Sequence, residues 1–97
     1  MRMLVNFSIN ADIIDVPQSV IDNRKALQSC FFDWLYDTGN NHKYWRMLGG
    51  TMGVMYRSDA FVEWLNEFVL KDSTEKASIL EQYVSRDNRN KLPTLNF

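Results

Sequence analysis

Basic and aromatic side chains alternate in His42-Lys43-Tyr44-Trp45-Arg46. Cations interleaved with rings can stack nucleobases while neutralising phosphate. As a strand, this stretch puts Tyr44 and Arg46 on one face and Lys43 and Trp45 on the other. Arg57 extends the basic surface, because Thr38 to Ser58 contains Lys43, Arg46 and Arg57 and no acid. The simpler reading is a buried Trp45 among solvated charges, since aromatic side chains are usually inside.

The acids follow directly. Asp59, Glu63, Glu67 and Asp72 stand against Lys71 alone. Asp59, Glu63 and Glu67 are four residues apart, so they share one face of a helix. Paired carboxylates can move protons or bind cations. Opposite an apolar stripe they read as a solvated face, which can serve as a partner surface.

The remaining candidates are weaker. Gly49-Gly50-Thr51-Met52-Gly53 lacks the Lys-Ser/Thr ending of a phosphate loop and the spacing of a dinucleotide site, so it reads as a turn. His42 is the only histidine and has no cysteine near it, which gives no zinc pattern. Cys30 is the only cysteine, expected as a small apolar side chain within a helix. Met47, Met52 and Met55 read as core filler. No catalytic set, cofactor motif or metal motif emerges.

These residues need a scaffold. Ninety-seven residues make one domain with a modest core, well supplied by 45% apolar and 13% aromatic residues. A single cysteine excludes an internal disulfide. No stretch is long and apolar enough for a membrane span, and the first residues lack the pattern of a signal peptide. The cytoplasm is the expected compartment. The net charge of −1 argues against a dedicated duplex-DNA binder.

Period-two apolarity at Met3, Val5, Phe7 and Ile9 predicts a strand. Ile13, Ile14 and Val16 continue it or lead into a helix starting near Asp15-Val16-Pro17. That helix is expected from Pro17 to Tyr36, with Val20, Leu27, Phe31, Trp34 and Leu35 on its stripe and Phe32 off it. Gly49-Gly50 predicts a hairpin between Tyr44–Leu48 and Thr51–Arg57. Ser58 is read as the N-cap of a helix to Leu70, with Phe61, Trp64, Leu65 and Phe68 inward. Asp72 to Glu75 suggests a third helix, with Ile79, Leu80 and Tyr83 inward.

The fold class is therefore α+β. The expected order is β-α-β-β-α-α, loosely ferredoxin-like, in one domain over 1–85. Residues 86–97 are expected as a polar linker ending in a tail or an edge strand, with Pro93 confining that strand to an edge.

Three function classes remain. The first is a small protein-interaction or regulatory module whose partner is another protein or a second copy of the chain. The second is a single-stranded nucleic-acid-binding module using Lys43, Tyr44, Trp45, Arg46 and Arg57. The third is a small enzyme with its site at a dimer interface, since so short a chain has little room for a deep pocket. The first fits the near-neutral charge and the missing catalytic set best.

Overall fold

The computed structural model describes residues 1–97. Strand β1 (Arg2–Asn6) turns back at once into β2 (Ala11–Asp15), and the two pair antiparallel from Arg2↔Asp15 to Asn6↔Ala11. The first strand thus stops short of Ile9, and Ile13 and Ile14 belong to an extended run. Two helices follow, α1 (Gln18–Asp22) and α2 (Arg24–Leu35). Where one helix was expected, Asn23 breaks it: its backbone lies at φ −114°, ψ 18°, outside helical geometry. Asp15 caps nothing and instead accepts a hydrogen bond from the Met1 ammonium at 2.7 Å.

The hairpin forms as read. Strands β3 (Trp45–Leu48) and β4 (Thr51–Val54) pair from Trp45↔Val54 to Leu48↔Thr51. Gly49 and Gly50 both have positive φ, 57° and 85°, as a two-residue type I′ turn requires. This ribbon stands apart from the main sheet.

Helix α3 (Ser58–Trp64) runs without interruption into a π-helical turn (Leu65–Val69), closed by Leu70 N–H donating to the Leu65 carbonyl at 2.7 Å. The chain then forms strand β5 (Ser78–Val84) where a third helix was expected. Ile79, Leu80 and Tyr83 suit a helix stripe, but pairing with β2 decides for a strand. Strand β6 (Thr94–Asn96) lies parallel to β1, so the tail supplies the edge strand that Pro93 allowed.

The α+β class stands, with one four-stranded sheet of order β5-β2-β1-β6 and one two-stranded ribbon. The element order is not β-α-β-β-α-α, because β1–β2 is itself a hairpin and the β3–β4 ribbon never enters the main sheet. No helix is long and apolar enough to cross a membrane.

One face of the sheet carries Met3, Val5, Ile14 and Val16 into the main core. Phe31 sits at its centre, wholly buried, with ring centroids 5.3 Å from Phe61, 5.8 Å from Trp64 and 5.9 Å from Phe97. Edge-to-face rings like these add about 0.5–1.5 kcal/mol beyond their burial. Phe97 also stacks on Phe7 at 5.5 Å, so the tail is anchored by an aromatic ring.

Several expected core residues lie outside. Phe68 is 54% exposed. A π turn takes one residue more than an α turn, so the stripe set by Phe61, Trp64 and Leu65 has rotated off the core by Phe68. Met47, Met52 and Met55 are 65%, 55% and 59% exposed, because the ribbon that carries them has no layer over it. Cys30 is exposed as well.

Candidate functional site

The loop before β3 is organised by His42. Its Nδ1 accepts a hydrogen bond from the Tyr44 N–H at 3.2 Å, so its Nε2 carries the hydrogen donated to the Leu35 carbonyl at 2.7 Å. The imidazole is stacked on Trp45 at 5.0 Å and 7°, and lies 4.7 Å from Trp34. The Trp45 indole N–H donates to the Asn40 carbonyl at 2.7 Å. Trp45 is therefore half-buried, outside the core, with one ring face against histidine.

Tyr44 is buried, and its hydroxyl donates to Glu63 Oε2 at 2.6 Å. Lys43 Nζ reaches the same carboxylate oxygen at 3.1 Å. Burial, followed by the hydrogen bond to Glu63, pushes the Tyr44 phenol well above its ordinary range. The bond from Tyr44 holds the Glu63 carboxyl low against a smaller opposing effect of burial, and Lys43 adds to the lowering.

Lys43, Tyr44 and Glu63 thus meet. Arg46 is adjacent but curls back, its Nη1 donating to the carbonyls of Lys43 and Trp45 at 2.5 and 2.7 Å. Asp59 stays at the start of α3, where its Oδ1 accepts from the N–H groups of Arg57 and Ala60. Glu67 lies one turn beyond Glu63, and both line an open cleft together with Lys43.

Arg57 belongs to a different cluster. Its Nη2 donates to Asp12 Oδ1 at 2.7 Å, and its guanidinium lies between the rings of Phe7 (4.6 Å) and Tyr83 (4.4 Å). Ser58, expected as a helix cap, is buried and donates its hydroxyl to Asp12 Oδ2. The Tyr83 N–H donates to Asp12 Oδ1 at 3.0 Å. Tyr83 adopts a left-handed backbone, φ 58°, within an irregular stretch where β5 carries one residue more than β2 opposite Asp12. Asp12 replaces the ladder bonds that this bulge removes.

Reading the sequence missed Asp12, Trp34 and Phe68 as site residues. For Asp12 a signal existed, a carboxylate inside an otherwise apolar strand, Ala11 to Ile14. Trp34 and Phe68 carried none, since helical spacing pointed both inward. No three His, Cys, Asp or Glu side chains converge as a metal site would need. No protein-family model matches this chain, and neither does any curated protein or solved structure.

Proposed function

We propose that this chain is a protein-interaction module that docks through the β3–β4 ribbon, and that the docked partner is a second copy. The observation that carries this is the exposed apolar surface of the ribbon: Met47 and Met52 form a cross-strand pair on one face, Leu48 and Met55 lie on the other, and all four face solvent. Apolar surface of this kind on an otherwise packed domain marks a contact site, and methionine adapts its shape to a partner.

The choice of a second copy rests on the strand edges. In a two-residue hairpin the Leu48–Thr51 pair is hydrogen-bonded, so the N–H and C=O of Met52 and Val54 point away from β3. No strand pairs with that edge of β4. The other edges are blunted. Arg46 lies along β3. On β6, Arg24 Nε and Gln28 Nε2 donate to the outward carbonyls of Thr94 and Asn96 at 3.1 and 2.6 Å. Two register shifts break β5. Two β4 edges paired antiparallel about a two-fold axis would place Met52 of both copies on one face of a continuous four-stranded sheet, each flanked by its own Met47, without opposing any charge.

Charge pairing across two copies, with Lys43, Arg46 and Arg57 of one against Glu63 and Glu67 of the other, has less to offer, because Lys43–Glu63 and Arg57–Asp12 already pair inside one chain. The association is therefore apolar and insensitive to salt. The nucleic-acid reading has less support for the same reason, since its cations are already bonded.

Light scattering across a wide concentration range tests the proposal. A mass that doubles at high micromolar concentration, unchanged in high salt and abolished by Met52→Lys, is the expected result. A monomer at every concentration, or an undiminished Met52→Lys dimer, refutes it.

A further inference from the structure

The cleft beside the ribbon has its own chemistry. It lies between the end of α2, the loop 40–43 and the π-helical turn, with a volume of ≈ 430 Å³. Trp34 and Phe68 form one wall, with ring centroids 6.0 Å apart at 58°. His42 adds a third ring, and Asn40 and Asn41 also line the cleft. Glu63 and Glu67 supply carboxylates and Lys43 the one cation.

The charges do not cancel. Lys43 is paired with Glu63, which also accepts the Tyr44 hydroxyl. Glu67 has no ion-pair partner and accepts no hydrogen bond. The aromatic side chain next to it, Phe68, is more than half exposed. A free carboxylate beside the exposed Phe68 ring repels anions, and it would be desolvated at a cost by an apolar guest. It attracts an organic cation, whose charge sits well over a ring face and whose N–H groups bond a carboxylate.

We propose that this cleft is a site for the guanidinium of an arginine presented by a peptide segment, held over Trp34 and Phe68 and paired with Glu67. Arginine fits better than lysine because its planar head stacks on rings and bonds a carboxylate together. The flanking peptide would meet the Asn41 amide and the Asn40 Oδ1, whose Nδ2 already donates to the Trp34 carbonyl at 2.9 Å, groups that free cations cannot use together. This site is independent of self-association through β4: Met52→Lys removes the dimer and leaves the cleft intact.

The test is an NMR titration of the Met52→Lys protein with acetyl-Gly-Arg-Gly-amide, following the Trp34 indole N–H resonance. The same peptide with citrulline serves as a neutral isostere, and methylguanidinium as a free cation. Saturable shifts with the arginine peptide are expected, weakened about tenfold in Glu67→Gln/Phe68→Ala, both exposed positions whose loss leaves the fold intact. Citrulline peptide should not bind. Equal binding of the citrulline peptide, unaltered binding by the double variant, or no saturable shift overturns the site. Equal affinity for methylguanidinium overturns the peptide as its source.

Discussion

The carboxylate of Asp12, wholly removed from solvent, is held 2.7 Å from the guanidinium of Arg57. The two belong to β2 and to the residue before α3, and the Tyr83 N–H brings β5 to the same oxygen. One ion pair therefore ties three elements. Breaking it from one side strands the other charge. We expect Asp12→Ala to cost about 3–5 kcal/mol in denaturant unfolding. The double variant Asp12→Leu/Arg57→Met should lose less than Asp12→Ala alone, since it leaves no unpaired charge. Equal losses would mean that shape, and not charge pairing, is what Asp12 supplies.

Acid unfolding should report the same pair. Burial pushes the Asp12 carboxyl up, but the bonds from Arg57, Ser58 and the Tyr83 N–H, with the charge of Arg57, together hold it below its ordinary value. A carboxyl depressed in the folded state contributes stability that is complete above its unfolded pKa of about 3.9 and is lost as pH falls through the folded value. The unfolding midpoint should hold from neutral pH to about 5 and fall below about 4. In Asp12→Asn the acid fall should be shallower.

The π turn makes a clear contrast within one helix. Trp64 is buried and Phe68 is not. Trp64→Ala should cost about 3–5 kcal/mol. Phe68→Ala should stay within about 1 kcal/mol, as surface changes do. Comparable losses at both positions would place Phe68 in the core.

Alkaline titration at the phenolate absorbance should show tyrosines that ionise late. Burial, with Tyr36 adding to it, pushes the Tyr56 phenol up to about 12. Tyr44 is raised as well, by burial and then by Glu63. Phenols raised in the folded state stabilise fully below their unfolded pKa of about 10, and that stability is lost as pH climbs through the folded values. Tyr44→Phe should remove part of the late step and cost about 1–3 kcal/mol, the worth of a hydrogen bond to a charged group.

Cys30 is exposed on α2 and should react with a disulfide reagent in the native state, one thiol per chain. A thiol that reacts only after unfolding would mean that this face of α2 is covered in solution.

Much of the fold was legible because local chemistry specifies it. Two glycines in sequence supply the positive φ values that a two-residue hairpin needs, so the ribbon followed from Gly49-Gly50 alone. Phe31, Phe61 and Trp64 fell inward because helical spacing aligns them. Strand β5 was not legible, since Ile79, Leu80 and Tyr83 fit a helix stripe about as well as a strand, and only pairing with β2 separates the two. Exposure of the methionines was hidden for a related reason: spacing says which side chains share a face, not whether another layer covers it.

The sequence by itself determined the α+β class, the hairpin, the aromatic core and the position of Pro93 on an edge strand. These depend on backbone angles and periods within a few residues. Tertiary structure alone decided that Lys43 meets Glu63, that Trp34 and Phe68 open onto a cleft, and that Asp12 is paired. Asp12 and Arg57 are 45 residues apart in the chain, and no local period connects them. Their pairing arises only when β2, β5 and the start of α3 pack together, because a buried charge must find its partner wherever the fold brings one.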